Sequence, residues 1–287
     1  MFDNFIRKQI TIGETTIHLV QGGNGYPILL LHGYPQTHVC WHLVAPMLAE
    51  KFTVVCPDLR GSGDSSKPSG DTGHLAYSKR VMAQEQVDIM QQLGFNEFAV
   101  AGHDRGARVA HRMALDHAGK ITKLALLDII PTSTAFANVN KEIATNAFNW
   151  FFSIQSDDLP ERLIGAEPIF YLHWCLDHWV ADKNAFYPEA VKEYERCFDT
   201  ASIHATCEEF RAAATIDLVH DEEDKHRQIC CPTLLLWSSK SMWASFNMLD
   251  IWKTKANSVD GISFECGHFL PEESAERTAS ELIHFFS

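Results

Sequence analysis

Gly102-His103-Asp104-Arg105-Gly106 decides how this chain folds. An apolar run, Phe98-Ala99-Val100-Ala101, precedes it, and a stretch with helical character, Ala107 to His117, follows it. A strand, a sharp turn with glycine two places either side of one polar residue, and then a helix make a nucleophile elbow. Side chains at the two glycine positions would collide within the strained turn, so the middle residue is lifted clear of the sheet. In most such turns that residue is Ser; here it is Asp104. A Ser nucleophile suits acyl transfer. A carboxylate instead attacks a saturated carbon, expels a leaving group and leaves an alkyl ester on the enzyme. Water then attacks the ester carbonyl, so a base and an oxyanion hole serve the second step. Bonds opened this way are carbon–halogen bonds and strained epoxides. An Asp here is also an ordinary helix N-cap; the paired glycines and the buried strand before them favour the nucleophile.

The chain of 287 residues is long enough for one large α/β domain, or for a core with an insertion. Hydrophobic residues at 46% and charged residues at 21% are ordinary for a soluble enzyme. A formal charge of −13 argues against nucleic acid and against anionic membrane surfaces. It leaves room for a small anionic substrate, because a local pair of arginines outvotes a distant field. Eight Cys are scattered without a C-x-x-C or a disulfide framework, which fits reduced thiols in a cytoplasm. No leader-like segment and no bilayer-spanning run is evident, so a cytoplasmic protein with no membrane partner is expected.

Working outward from the elbow, Gln9 to Val20 alternates around Gly13-Glu14 and predicts two early strands. Gly22-Gly23-Asn24-Gly25 is a turn in the wrong order and context for a dinucleotide loop. Pro27 to Leu31 reads as a buried central strand that exits into His32-Gly33-Tyr34-Pro35. Such an HG pair resembles the oxyanion loop of α/β-hydrolases, which assigns one oxyanion donor to the Tyr34 N–H and the other to the Arg105 N–H. Phe52 to Cys56 is the next strand, and Asp58 to Ser66 a polar loop read as scaffold. Ser78 to Leu93 has helical periodicity, and Lys123 to Leu127 follows as a further strand. Alternating strands and helices predict a mostly parallel sheet with helices on both faces. From residue 133 to 227 the chain turns helical and aromatic-rich, and strand pattern returns only at Cys231 to Trp237. The expected division is a core of residues 1–132 and 228–287, with residues 133–227 a helical cap over the strands' carboxyl ends.

Gly261 to Cys266 is the last strand, and Gly267-His268 directly after it is where this fold presents a catalytic histidine. His268 is therefore the expected base, by position rather than by being a histidine, since the chain has 15. The acid that orients it should follow one of two strands. Ser238 to Met242 offers no carboxylate, which leaves Asp128 after Leu126-Leu127. Arg105 and Arg108 lie three apart on the first turn of the elbow helix and so flank Asp104. They would keep it ionised and offer a fork for a substrate carboxylate, as a short haloalkanoate requires. No metal-ligand spacing such as H-E-x-x-H occurs, so no metal and no cofactor are expected.

The run Gly102 to His117, His32 to His42, Leu127-Asp128, Phe148 to Phe152, Phe210 to Asp217 and Cys266 to Pro271 together resemble the haloacetate (fluoroacetate) dehalogenase family. The likeness runs through nearly the whole chain. It implies Asp104 as nucleophile, His268 as base, Asp128 as acid, Arg105 with Arg108 on the substrate carboxylate, and a homodimer. Members of that family hold the departing fluoride with a His-Trp pair and a Tyr; the matching positions here are Asn149, Trp150 and Phe210. Phe210 has no hydroxyl to donate, so chloro- and bromoacetate are expected to react more readily than fluoroacetate. An epoxide hydrolase would share the fold and the Asp nucleophile, but needs two cap tyrosines, for which Tyr171, Tyr187 and Tyr194 are available. Such enzymes resemble G-H-D-W-G at the elbow, where this chain has Arg105. A small-acid binding protein on the same shell is the non-catalytic alternative.

Overall fold

The computed structural model describes residues 1–287. Its strands are β1 (Ile6–Ile12), β2 (Thr15–Gly22), β3 (Tyr26–Leu31) and β4 (Phe52–Pro57). They continue with β5 (Phe98–His103), β6 (Ile121–Leu127), β7 (Thr233–Ser238) and β8 (Val259–Phe264). All join one sheet in the order β1-β2-β4-β3-β5-β6-β7-β8. β1 with β2 and β2 with β4 run antiparallel, and every later pair is parallel. Each strand expected from the sequence forms, with ends displaced by a few residues.

Helices α1 (Val44–Ala49), α2 (Lys79–Gln92) and α3 (Arg105–Asp116) belong to the first part of the chain. Between β6 and β7 come α4 (Thr132–Ala137), α5 (Lys141–Asn146), α6 (Phe148–Ser153) and α7 (Leu159–Ala166). The same stretch continues with α8 (Pro168–Trp179), α9 (Pro188–Cys197), α10 (Thr200–Ala214) and α11 (Ile216–Glu223). After β7 follow α12 (Met248–Lys253), α13 (Leu270–Glu273) and α14 (Ala275–Phe286). No helix is long and apolar enough to cross a membrane.

The central strands are apolar on both faces, and alternate residues feed two separate cores. Leu29, Leu31 and Val100 pack with Met82, Val87 and Met90 of α2 and Val109 and Met113 of α3. Ile28, Leu30, Ala99 and Ala101 pack on the opposite face with Val44 and Leu48 of α1 and Leu282 and Phe286 of α14. Strand order reverses between β3 and β5: the chain leaves β3 toward β4 and returns past it to β5. That reversal opens a crevice at the strands' carboxyl ends. The loops beginning at His32 and Asp104 both exit into it.

The glycines of the elbow answer to steric need. A Cβ on Gly102 would strike the Gly106 carbonyl oxygen and the Ala107 nitrogen; one on Gly106 would strike the carbonyls of His32 and Leu31. A Cβ on Gly33 would press on Asp104 Cβ at 2.6 Å.

Helices α4–α11 lie across this end of the sheet, and a buried polar cluster fastens them to it. Tyr194 of α9 donates from its hydroxyl to Glu272 Oε1 at 3.1 Å, and Gln36 Nε2 donates to Glu272 Oε2. Burial pushes the Glu272 carboxyl up to about 8, against the opposing pull of those two donors. Folded Glu272 therefore holds its proton more tightly than the unfolded chain does. The stability it contributes is complete below its ordinary value of 4.5 and is lost as pH rises through about 8.

Two outcomes are expected. Gly106→Ala should lower stability by about 1 to 3 kcal/mol in urea unfolding, through overpacking against β3. Glu272→Gln should flatten the decline in stability between pH 5 and pH 8 relative to the parent protein. Parallel pH profiles for the two proteins would contradict this.

Candidate active site

Asp104 sits at the tip of the β5–α3 turn with φ +48° and ψ −121°, outside the regions that ordinary residues adopt. Its side chain makes no capping hydrogen bond to α3, so it is not an ordinary N-cap. Instead Oδ1 accepts the Tyr34 N–H at 3.0 Å, and Oδ2 faces His268 Nε2 at 3.7 Å. Arg105 is the first residue of α3, so its N–H is among the donors a helix leaves without an intrahelical partner. Burial alone would raise the Asp104 carboxyl. The neighbouring imidazoles, the Arg105 guanidinium and the Tyr34 N–H outweigh that and bring it down to about 2. It is an anion at neutral pH.

His268 Nδ1 donates to Asp128 Oδ2 at 2.7 Å. Asp128 is fully buried, directly after β6, with φ +52°. Its Oδ1 accepts the Ser238 N–H at 2.9 Å and the Ser241 hydroxyl at 3.0 Å. The Ser238–Met242 segment, which carries no carboxylate of its own, thus supplies donors that fix one. Burial tends to lower the His268 pKa, but the hydrogen bond and charge of Asp128, with the charge of Asp104, raise it above the ordinary imidazole value. His103 braces the same loop from below. Burial brings its own pKa down to about 3, so it is neutral, and its Nε2–H donates to the His268 carbonyl at 2.7 Å.

Asp104, His268, Tyr34, Arg105 and Arg108 share one cavity, and so do Asn149, Trp150 and Phe210. The arginines do not form the open pair that their spacing suggests. Arg105 Nη1 is bonded to Glu209 of α10, and its guanidinium lies 4.6 Å over the Tyr34 ring and 5.3 Å over Phe210. Arg108 Nη1 donates to the Ile130 carbonyl at 2.9 Å and the Thr132 hydroxyl at 3.0 Å; its Nη2 is buried without a partner. Burial lowers Arg108 to about 10, which leaves it charged at neutral pH. Its guanidinium lies 4.5 Å over the Trp150 ring. Asn149 Oδ1 is likewise buried without a partner.

Lys79, Trp179, Glu209, Ala213, Met242 and Trp243 also line this cavity, although the sequence motifs assign none of them to the site. Lys79 begins α2, and its Nζ lies 3.0 Å from Glu209 Oε1 and 3.5 Å from Asp217 Oδ2. Nothing local marks Lys79, because its partners come from a segment over a hundred residues away. Glu209 was within reach: it directly precedes Phe210 on the same helix. None of Tyr171, Tyr187 and Tyr194 lines the cavity. Tyr194 is spent on Glu272, Tyr187 packs on His42 at the surface, and the Tyr171 hydroxyl is buried without a hydrogen-bond partner.

His18, His38 and Asp58 form the one group with metal-like spacing. Asp58 already accepts both imidazole Nδ1 atoms and the N–H groups of His38 and Asp64. Its lone pairs are committed to holding the Asp58–Ser66 loop, as a scaffold.

A family model for the alpha/beta hydrolase fold matches residues 26–275. The chain is 42% identical to a fluoroacetate dehalogenase from Burkholderia sp., with all of it aligned to 95% of that protein. It is 32% identical to a soluble epoxide hydrolase from Corynebacterium sp. (strain C12), over 100% of this chain and 99% of the other. An alpha/beta hydrolase crystal structure from Nostoc sp. PCC 7120 superposes with a TM-score of 0.99 at 54% identity, covering 100% of this chain and 99% of that one. The chain belongs to the α/β-hydrolase family, in its haloacetate dehalogenase-like branch.

Proposed function

We propose that this protein hydrolyses short 2-haloacids, converting a haloacetate to glycolate and halide through an ester on Asp104. One observation carries the reading. The two oxygens of Asp104 have different partners: Oδ1 on the Tyr34 N–H, Oδ2 toward His268 Nε2.

In the first step Oδ2 attacks the α-carbon, a carbon–oxygen bond forms, and the carbon–halogen pair leaves with the halide. The substrate carboxylate is held by Arg108 Nη2 and by the part of Arg105 not engaged with Glu209. Helices α4–α11 act as a cap that keeps bulk water from the departing anion. In the second step His268 Nε2 takes a proton from water as the oxygen attacks Asp104 Cγ. Negative charge then develops on Oδ1, where the Tyr34 and Arg105 amides stabilise it. The imidazolium returns its proton to the departing glycolate oxygen, and the regenerated Asp104 carboxyl ionises. Asp128 holds the imidazole in the tautomer this requires. Only the first step touches the α-carbon, so a chiral 2-haloacid is inverted.

The halide corner favours chloride and bromide over fluoride. Trp150 offers an indole N–H, and the uncommitted Asn149 amide can turn a second donor inward, but Phe210 offers none. Fluoride is strongly hydrated and leaves poorly; for scale, losing one oxyanion-hole donor costs about 3 to 4 kcal/mol.

Epoxide hydrolysis is the second reading, supported by the Corynebacterium relative. It lacks the pair of phenols needed to protonate the epoxide oxygen, since Tyr34 alone among tyrosines lines the cavity and its ring lies beneath Arg105.

Halide release from chloro-, bromo- and fluoroacetate tests the proposal. Chloro- and bromoacetate should turn over faster than fluoroacetate, with Asp104→Ala silent on all three. His268→Asn should release about one halide per enzyme and stop at the ester. Arg108→Leu should raise KM for every haloacetate by about tenfold or more, the order expected for losing a charged hydrogen bond. Fluoroacetate as the fastest substrate would overturn the halide assignment. Epoxide opening without halide release would overturn the reaction class.

A further inference from the structure

The loop that carries His268 is held by a residue outside the triad. Glu273, the last residue of α13, accepts the Gly267 N–H at 2.8 Å and the Phe269 N–H at 3.0 Å, so its carboxylate straddles His268. The same carboxylate accepts the Ala181 N–H at 2.8 Å, just beyond α8. The His268 N–H itself donates to the Trp179 carbonyl at 2.8 Å. Three successive amides, residues 267 to 269, are thus fixed, two of them by one side chain. Charge-assisted bonds of this kind are stronger and more directional than neutral ones. The packing leaves no slack. A Cβ on Gly267 would strike the Ala181 nitrogen, meet the Trp179 carbonyl at 2.6 Å and press on Glu273 Oε1 at 2.7 Å.

We propose that Glu273 is a positioning residue: by clamping the backbone on both sides of His268 to the Trp179–Ala181 turn, it sets where the imidazole meets the attacking water. This rests on the dehalogenase reading above. The two chemical steps depend on His268 unequally. Halide displacement by Asp104 needs no base, whereas ester hydrolysis does. Side-chain anchoring by Asp128 fixes the imidazole's tautomer and one nitrogen, but the reach of Nε2 toward Asp104 follows from the backbone that Glu273 holds. A displacement of about 1 Å at such a group costs on the order of a hundredfold in rate.

The experiment is single-turnover and steady-state halide release from chloroacetate, with intact-mass measurement of the enzyme. Glu273→Ala should release its first equivalent of halide at close to the parent rate, then turn over at least about tenfold more slowly. Enzyme sampled in that phase should be heavier by about 58 Da, the mass of a carboxymethyl ester. Glu273→Gln keeps a carbonyl acceptor for the Gly267 and Ala181 amides, and should fall between the two. It also carries the test should the alanine variant not fold. Parent-like turnover in a folded variant would overturn the proposal. So would equal slowing of both steps without ester accumulation, which is the signature of a merely structural role. Absence of halide release from the parent enzyme would instead strike the dehalogenase reading itself.

Discussion

Asp104 is held in a backbone conformation that a free chain avoids, and the remaining features of the site occupy the space that conformation leaves. A positive φ at a non-glycine residue is strained and persists only where the surroundings over-determine it. Here β5 and α3 are buried on either side of the turn, and glycines at 102 and 106 remove the Cβ atoms that would forbid it. The constraint spreads to the neighbouring loop. Gly33 must lack a side chain because Asp104 Cβ occupies its place, and that close approach brings the Tyr34 N–H onto Oδ1. One strained turn thus fixes both the proposed nucleophile and the donor that its ester would use.

Charge is the second organising term, and it is arranged locally. A chain of formal charge −13 buries three cations around one cavity. At physiological ionic strength a distant surface charge is screened within about 8 Å, whereas buried groups feel one another fully. Arg105 and Lys79 are offset by Glu209 and Asp217. Arg108 has no carboxylate within ion-pair distance and makes its bonds to neutral oxygens. Its buried, unpartnered Nη2 is costly to leave so, and the proposed substrate carboxylate relieves that cost. The imbalance among these cations is a more specific indication of an anionic ligand than the presence of two arginines.

Much of this was written in local sequence. Gly102 to Gly106, His32 to Pro35 and Gly267-His268 each lie at a strand exit, and the carboxyl ends of neighbouring parallel strands meet wherever the sheet forms. Residue type and strand order together therefore named Asp104, Tyr34, Asp128 and His268 as neighbours. The inner strands β3 to β7 were legible because buried parallel strands are continuous apolar runs between turns, whereas β1 and β2 showed as an alternating antiparallel pair.

What the sequence determined by itself was the kind of chemistry, since Asp in place of Ser at a glycine-flanked turn changes which carbon is attacked. What the tertiary structure alone decided was how the charges pair and which groups are left over. The spacing of Arg105 and Arg108 predicts one open fork, yet Glu209 from α10 engages the first and backbone at Ile130 engages the second. Lys79 carries no local signature, and neither does the bond from Ala181 to Glu273, because each joins segments far apart in the chain. Strand periodicity is a short-range property and survives in the sequence. The pairing of buried charges is a property of the packed molecule, and it exists only once the helices after β6 have closed over the sheet.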